Sequence, residues 1–191
     1  MNVGAFQDER VGLRPLEASD LDALRDYLNQ PELEGCRYLP WEAPEKAPLS
    51  HAQLGHSLSR WADDKTAYHF AVIARVGGAL IGHAECDWGW DPLCPDLTVV
   101  IAPGQRRRGY GSAVAALLLR HLFEATPAHS VGGWFADWNS AARGFARRLG
   151  FSEAGGMRWA GLREGQPYDL ITVDLLRREW RQQREEARHA A

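Results

Sequence analysis

The sequence predicts an α/β (α+β) fold in which strands and helices share one domain. The chain has 191 residues and 45% hydrophobic content, which is enough for a full hydrophobic core. Two strand patterns, Phe70–Ala74 and Leu80–Asp87, flank Gly77-Gly78, a strong hairpin signal. The β-branched run Val99–Ile101 is followed by a glycine-containing loop and then by the apolar series Ala113–Leu119. The hairpin and the strand-loop-helix unit together indicate a sheet accompanied by helices.

The composition argues against a nucleic-acid-binding, membrane-bound, exported or metal-binding protein. A formal net charge of −3 offers no general attraction for nucleic acid or for an anionic membrane. The sequence has no cationic, apolar leader and no apolar run of about 18 residues, which predicts neither export nor a membrane span. The three cysteines are Cys36, Cys86 and Cys94, and they lack the paired spacing of metal ligands. We therefore predict reduced thiols in a cytoplasmic protein and no metal site. We expect residues 1–10 to be loose and residues 11–191 to form a single domain.

Hydrophobic periodicity and chain breakers predict the remaining elements. A first strand is expected over Val11–Leu16, and Ser19 opens a helix whose apolar stripe ends near Pro31. The same patterns predict a helix over Ser50–Ala62, strands over Leu97–Ile101, Val131–Ala136, Met157–Leu162 and Asp169–Val173, and a charged helix over Leu175–Arg188.

The loop after the strand that ends at Ile101 predicts a binding site for a polyanion. Gly109 and Gly111 allow a sharp turn and a close approach of a ligand to the backbone. The following helix points its free N–H groups and the positive end of its dipole at the loop. Three consecutive arginines, Arg106–Arg108, add positive charge. A pyrophosphate is the most natural ligand for this combination, and a surface turn with solvated arginines is the alternative.

Two common phosphate-binding motifs do not fit this loop. Gly104 and Gly109 have the first spacing of a Walker loop, but Tyr110 and Gly111 occupy the positions of its lysine and its hydroxyl residue. The dinucleotide fingerprint requires a third glycine, where this chain has Val114, and an acidic residue about 20 positions further along. The loop therefore predicts neither an NTPase nor a dinucleotide-binding enzyme.

The remaining pattern resembles the acetyl-CoA loop of the GCN5-related N-acetyltransferase (GNAT) superfamily. Its residues are Ile101-x-Pro103 followed by Arg106-x-x-Gly109-x-Gly111. A second segment, Asn139–Phe151, is similar to the superfamily's Asn-x-x-Ala motif with a short helix ending in Leu-Gly-Phe. Asn139 is a good N-cap for that helix, and Gly150 is a natural stop. Two motifs in the family's order indicate the family far more strongly than either motif alone.

Further stretches resemble the RimJ/RimL-like branch of this superfamily. They are Leu13-Arg14-Pro15-Leu16 with Ser19-Asp20, and residues 165–170 and 175–180. The resemblance spans Val11 to Trp180 and implies a mixed, mainly antiparallel, twisted sheet with helices on both faces. It also implies direct transfer of acetyl from acetyl-CoA to a primary amine, of a small molecule or of a protein N-terminus. Dimers are frequent in the family, which makes a homodimer an expectation.

The resemblance implies which residues hold acetyl-CoA. The pantetheine arm would lie between two splayed central strands, hydrogen-bonded to backbone near Val99, Val100 and Ile101, where one N–H polarises the thioester carbonyl. Main-chain N–H groups would hold the pyrophosphate along Arg106, Arg107, Arg108, Gly109, Tyr110, Gly111 and Ser112. Asn139 would contact the pantetheine arm, and Arg143 or Arg147 would reach a phosphate. A solvated helix face is the alternative for these two arginines.

The sequence departs from the family pattern where some protein-acetylating members carry a glutamate base and a tyrosine acid. Trp134 and Ala146 occupy those positions, and neither can transfer a proton. The available carboxylates are Glu85, Asp87, Asp91 and Asp137. Strand alternation places His83, Glu85 and Asp87 on one face, where they would form a cluster of titratable groups. We therefore predict Glu85, with Asp87 beside it, as the catalytic group; polar residues of a half-exposed strand are the alternative.

Aromatic and acidic residues predict a pocket for a cationic amine, formed by Trp41, Trp88, Trp90 and Asp91. Tryptophans of the core or its rim are the alternative. A hypothesis of another class is a CoA-binding sensor or partner module without catalysis, and it is motivated by Trp134 and Ala146. Binding of nucleic acid through the arginine triplet is not expected, because the rest of the chain offers no basic stripe.

Overall fold

The computed structural model describes residues 6–33, 48–89 and 91–189. Its strands are β1 (Val11–Pro15), β2 (Ala67–Ala74), β3 (Leu80–Asp87), β4 (Asp96–Ile101), β5 (Ser130–Ala136), β6 (Ser152–Arg163) and β7 (Gln166–Leu176). Its helices are α1 (Leu21–Leu28), α2 (His51–Asp63), α3 (Tyr110–Ala125), α4 (Ser140–Arg148) and α5 (Arg177–His189). In the described part the strands form one sheet in the order β1-β2-β3-β4-β5-β7-β6, in which the β1–β2, β2–β3, β5–β7 and β6–β7 pairs are antiparallel and the β4–β5 pair is parallel. The predicted mixed, mainly antiparallel fold class is confirmed.

The contacts group the chain into two compact units. The first unit contains the described residues up to Asp87 together with Thr98–Leu118, and the second contains Trp88–Leu97 and the residues from Leu119 onward. Strands β1, β2 and β3 belong to the first unit and β5, β6 and β7 to the second, while β4 and α3 contribute to both. The single domain expected from residue 11 stays a prediction.

The first unit is built on an antiparallel meander of β1, β2 and β3. The β2–β3 hairpin turns at Gly77 and Gly78, whose φ angles of 84° and 64° suit glycine, as the sequence predicts. Next to the turn Ile73 pairs with Leu80, but Val72 pairs with Gly82. Ile81 is therefore an extra residue, and this β-bulge shifts the register of the rest of the hairpin by one position.

Helices α1 and α2 complete the core of the first unit through their apolar faces. The side chain of Ser50 accepts a hydrogen bond from the N–H of Gln53 at 3.2 Å, and the Gln53 side chain accepts one from the N–H of Ser50 at 2.8 Å. This capping box fixes the start of α2. The core residues are Leu21, Leu24, Tyr27, Leu28, Leu33, Leu49, Leu54, Val100 and Ala102.

An ion pair ties the end of β1 to the start of α1. Two guanidinium nitrogens of Arg14 donate to the two carboxylate oxygens of Asp20, each at 2.7 Å, and the N–H of Glu17 donates to the same carboxylate at 2.9 Å. Asp20 is only 5% exposed. Burial opposes its ionisation, but the hydrogen bonds from Arg14 and Glu17 outweigh burial and hold the pKa of Asp20 below its ordinary value.

The second unit is built on β5, β7 and β6. Strand β4 begins in parallel with β5, where Asp96 pairs with Gly132. Asn139 caps α4 by accepting a hydrogen bond from the N–H of Ala142 at 3.0 Å, and Gly150 follows the helix with φ 88°, both as predicted. The ring of Trp180 in α5 packs on Phe123 with centroids 5.2 Å apart.

The predicted limits of the last three elements are wrong. Strand β7 continues to Leu176, so α5 begins at Arg177 and not at Leu175. Strands β6 and β7 are also longer than predicted, because long-range pairing between them defines their ends. Most of β6 is exposed and interrupted by two register shifts, so it lacks the alternation of buried residues that a sequence pattern needs.

Residues 6–10, which the sequence predicts to be loose, make specific contacts. Phe6 lies against Phe70 with ring centroids 5.5 Å apart, and the Asp8 carboxylate accepts hydrogen bonds from the N–H groups of Arg10 and Val11 at 2.8 and 2.7 Å. These contacts lead the chain into β1. Within the described residues, no helix is both long enough and apolar enough to cross a bilayer.

We predict that Asp20→Asn lowers the free energy of unfolding by about 1–3 kcal/mol near pH 7, because the amide cannot replace the charged partner of Arg14. The lowered pKa of Asp20 means that its stabilisation is present above its unfolded-state pKa of about 3.9 and is lost as pH falls through the folded-state pKa. The difference from wild type in urea denaturation should therefore shrink in acid.

The control is Asp22→Asn, since the Asp22 side chain is 75% exposed and lies 3.2 Å from Arg25. This change should cost no more than about 0.5 kcal/mol. Equal losses in the two variants would contradict a special role for the Arg14–Asp20 pair.

Candidate functional site

The end of β4 lies close to β3 in the first unit. Val100 is buried at 4% exposure, between the half-buried Val99 and Ile101. A Cβ atom added to Gly82 would overlap the carbonyl oxygen of Val100. The N–H of Ala102 donates to the carbonyl of Ile81 at 2.9 Å. The absent side chain of Gly82 thus determines how closely the backbone of β4 approaches β3.

The loop after β4 is closed by its own hydrogen bonds. The N–H groups of Gln105 and Arg106 donate to the carbonyls of Ala102 and Pro103 at 2.8 and 3.2 Å. The Arg106 side chain turns back, and its Nε donates to the carbonyl of Ile101 at 3.0 Å. Arg106 therefore has a structural role at the strand end in addition to its charge.

The start of α3 presents backbone donors beside this loop. The N–H of Ala113 donates to the carbonyl of Gly109 at 3.1 Å. The amides of Tyr110, Gly111 and Ser112 precede this bond in the first turn, where a helix supplies no acceptor of its own. They combine with the positive end of a 16-residue helix and with the exposed side chains of Arg106, Arg107 and Arg108. This arrangement favours an anion such as a phosphate.

Arg10 is a fourth arginine at the loop, and sequence reasoning missed it. Gly109 has φ 80°, and a Cβ atom at this position would overlap Nη1 of Arg10. The Arg10 guanidinium therefore lies directly over the glycine that precedes α3. Because the two residues are far apart in the chain, no local pattern indicates this contact.

The predicted base, Glu85, is buried at 9% exposure in β3 and faces a histidine in β2. His69 pairs with Glu85 across the hairpin, and its Nδ1 lies 3.1 Å from Oε2 of Glu85. Its Nε2 lies 3.7 Å from Oδ2 of Asp64, and its ring stacks on Trp61 with centroids 4.9 Å apart. His69 and Asp64 were not singled out from the sequence, because the approach of His69 to Glu85 depends on the hairpin register and Asp64 follows α2, far from Glu85 along the chain.

The other two predicted members of the Glu85 face are His83 and Asp87. His83 is buried, and its Nδ1 hydrogen-bonds the hydroxyl of Tyr27 at 2.6 Å. Burial raises the pKa of Tyr27 well above its ordinary value, so this hydroxyl stays protonated. Asp87 is half-buried at the end of β3, opposite Ala67. The tyrosine that hydrogen-bonds His83 belongs to α1, and the histidine beside Glu85 belongs to β2.

The second unit carries the remaining predicted residues that the structure describes. Asn139 uses its side-chain oxygen to cap α4, and Nε of Arg143 lies 2.9 Å from the Glu153 carboxylate. Trp88 is half-buried, and the Asp91 carboxylate accepts a hydrogen bond from the N–H of Leu93 at 2.7 Å, which closes a turn. Trp41 and Trp90 lie outside the described residues.

The model of the acetyltransferase (GNAT) domain family matches residues 10–152, more than half of the chain. This chain belongs to the GNAT acetyltransferase family. The match covers the loop between β4 and α3, the Glu85 strand and the Asn139 segment. Trp134 and Ala146 lie at the positions where the family resemblance places the base and the acid of some members. Trp134 is 49% exposed on β5, and Ala146 is buried in α4.

Solved structures share the GNAT fold at low sequence identity. A spermidine N-acetyltransferase from Vibrio cholerae, in complex with CoA and spermine, is 20% identical with a TM-score of 0.77, covering 91% of this chain and 99% of that one. A GCN5-related N-acetyltransferase from Brucella melitensis is 22% identical with a TM-score of 0.76, covering 92% and 80%. A GNAT-family acetyltransferase from Bacillus anthracis is 18% identical with a TM-score of 0.74, covering 91% and 99%.

We predict that Gly82→Ala destabilises the protein by about 1–3 kcal/mol, because the added methyl group would displace the Val100 carbonyl from the neighbouring strand. Chemical denaturation measures the loss. Gly12→Ala is the matched control in β1, where an added Cβ would have no neighbour within 4 Å. That variant should stay within about 1 kcal/mol of wild type. A Gly82→Ala protein as stable as Gly12→Ala would mean that the two strands have room to separate.

Proposed function

We propose that this protein transfers acetyl from acetyl-CoA to a primary amine, of a small molecule or of a protein N-terminus. The match of the GNAT family model to residues 10–152 is the observation that carries the proposal. Acetyl-CoA supplies the acetyl group as a thioester, and transfer forms an N–C bond, breaks the S–C bond and releases CoA thiol and a proton. The RimJ/RimL-like branch, a cytoplasmic location and a homodimer stay predictions.

The residues of the first unit fit the anionic part of acetyl-CoA. The first-turn amides of α3 would bind phosphate oxygens, and Arg107, Arg108 and Arg10 would balance their charge. The bare backbone at Gly109 accommodates the Arg10 side chain, which a Cβ atom at this position would overlap. Backbone groups of Val99, Val100 and Ile101 would align the pantetheine arm, and Asn139 and Arg143 are further candidates in the second unit.

Glu85 would accept the proton that the amine must lose. An alkylammonium ion has a pKa of about 10.4 in a lysine side chain and about 7.7–8.0 in a protein N-terminus, so a base must supply the neutral nucleophile. Glu85 is the buried carboxylate among the four carboxylates considered from the sequence. Asp87, Asp91 and Trp88 are candidates for attracting a cationic acceptor. The CoA and spermine complex of the Vibrio cholerae neighbour makes a polyamine the first amine to test.

The experiment is calorimetric titration with acetyl-CoA followed by release of free thiol with a panel of amines: a polyamine, an amino acid, an aminoglycoside and a short peptide. We expect binding and amine-dependent release, and the productive amine identifies the substrate class. Glu85→Gln should lower kcat about 100-fold or more while acetyl-CoA still binds. The control is Asp137→Asn, which changes an exposed carboxylate and should retain activity.

Binding of acetyl-CoA without thiol release for any amine would instead favour the alternative, a CoA-binding sensor or partner module. Trp134 and Ala146 are the residues that motivate this alternative, because they replace the proton-transferring groups of some relatives. Failure to bind acetyl-CoA would contradict both functions.

We predict that Gly109→Ala weakens acetyl-CoA binding at least about tenfold, or about 1.4 kcal/mol. An alanine at φ 80° is strained, and its methyl group would displace Arg10. Gly104→Ala is the control in the same loop, since a Cβ atom there would have no neighbour within 4 Å. Calorimetry on both variants, after thermal denaturation has verified folding, measures the difference. Similar affinities would exclude the Gly109 turn as the phosphate site.

A further inference from the structure

A line of polar side chains crosses the interior of the first unit, on the hairpin face that meets α1 and α2. We call it the polar row: Tyr27, His83, Glu85, His69 and Asp64. His83 and Glu85 are next-but-one neighbours on β3, and His69 lies opposite Glu85 on β2. Of these five residues only Glu85 has a role in the proposed function, which leaves His69 and Asp64 unexplained.

Burial makes this arrangement costly unless its members support one another. The side chain of His69 is 8% exposed and that of Glu85 is 11% exposed, whereas the Asp64 side chain is 33% exposed. Ionisable groups at such depth are destabilising unless they have charged or hydrogen-bonding partners. His69 lies between two carboxylates: Glu85 of β3, and Asp64, the residue that follows α2. The ring of Trp61 in α2 stacks on the His69 ring.

The distances give the two nitrogens of His69 different roles. At 3.1 Å, Nδ1 is within hydrogen-bonding distance of Oε2 of Glu85, whereas Nε2 at 3.7 Å from Asp64 is a charge contact and not a hydrogen bond. Asp64 is itself fixed, since the N–H and hydroxyl of Thr66 donate to its Oδ1 at 2.7 and 2.8 Å. These bonds, with the nearby His69, lower the pKa of Asp64, and it stays ionised at neutral pH.

We propose that His69, held by Trp61 and Asp64, is a positioning residue for Glu85. Its Nδ1–H donates to Oε2 of Glu85, which fixes the orientation of the carboxylate and leaves the second oxygen to accept the proton of the amine. A neutral ring can make this donation, and an imidazolium ring strengthens it and interacts with Asp64 as well. Three groups then share the roles of base, orienting histidine and supporting carboxylate. This inference rests on the proposed function.

The first test distinguishes the stacking of the His69 ring on Trp61 from the hydrogen bond that its Nδ1 donates to Glu85. His69→Phe retains an aromatic ring for Trp61 but removes the donor, whereas His69→Asn retains a donor near the position of Nδ1 but removes the ring. We expect kcat to fall about 10- to 100-fold in His69→Phe, less than the roughly 100- to 10,000-fold that a general base contributes, with the affinity for acetyl-CoA unchanged. His69→Asn should recover part of that loss, and the pH dependence of kcat should change in both variants.

The double variant decides whether His69 acts through Glu85. If it does, His69→Phe/Glu85→Gln should lose no more kcat than Glu85→Gln alone, since the base that His69 positions is already gone. Losses that multiply, or a His69→Phe protein with wild-type kcat and pH profile, would overturn the proposal. A loss that tracks a drop in thermal stability and is not recovered by His69→Asn would also overturn it, because a merely structural role predicts that result.

A readout without turnover distinguishes this proposal from the proposed function. In NMR of the full chain at one fixed pH, the imidazole signals of His69 should shift in Glu85→Gln and in Asp64→Asn, because each change alters a carboxylate beside the ring. The imidazole signals of the exposed His56 serve as the internal control and should not shift. Unchanged His69 signals overturn the contact itself. Shifted His69 signals in a protein that transfers no acetyl overturn the proposed function, and with it the positioning role.

Discussion

The register of the β2–β3 hairpin is the constraint on which the chemistry of the first unit depends. Next to the turn, Ile73 pairs with Leu80, and continuing that register would place His69 opposite Ala84. The extra residue Ile81 shifts the pairing by one, so His69 lies opposite Glu85 instead. Since a shift of one residue moves a side chain to the other face of a strand, this bulge determines that histidine and carboxylate share one face.

The same short segment of β3 also governs the approach to β4. The carbonyl of Ile81 accepts the hydrogen bond from Ala102, and Gly82 leaves the space that the Val100 carbonyl occupies. Ile81 and Gly82 therefore connect the hairpin register with the end of β4, where the loop that leads to α3 begins. A conservative change in this segment would affect both the polar row and the loop, although neither residue carries a functional group.

Local patterns in the sequence were sufficient to predict most helices and strands and the position of the loop between β4 and α3. The Gly77-Gly78 turn, the Asn139 cap and the stop at Gly150 are each determined by neighbouring residues, and the structure has all three. Contacts between distant residues were not predictable in this way. Arg10 over Gly109 and Arg143 beside Glu153 depend on tertiary packing, and the limits of β6 and β7 depend on their mutual pairing. The His69–Glu85 contact required a register that the turn alone would have assigned wrongly.

Trp134 and Ala146 occupy the positions where some members of the family carry a base and an acid, so a base for the proposed transfer must come from elsewhere in this chain. Trp134 and Ala146 belong to β5 and α4 of the second unit, and an exposed indole and a buried methyl group cannot exchange protons there. The first unit instead buries a carboxylate against a histidine, at a cost in desolvation that an apolar pair would avoid. A stable fold does not require such a pair, whereas removing a proton from an ammonium ion requires a base of this kind. Trp134 and Ala146 by themselves motivate a function without catalysis, whereas the buried pair of His69 and Glu85 places titratable groups on the β2–β3 hairpin and supports the proposal of proton transfer from there.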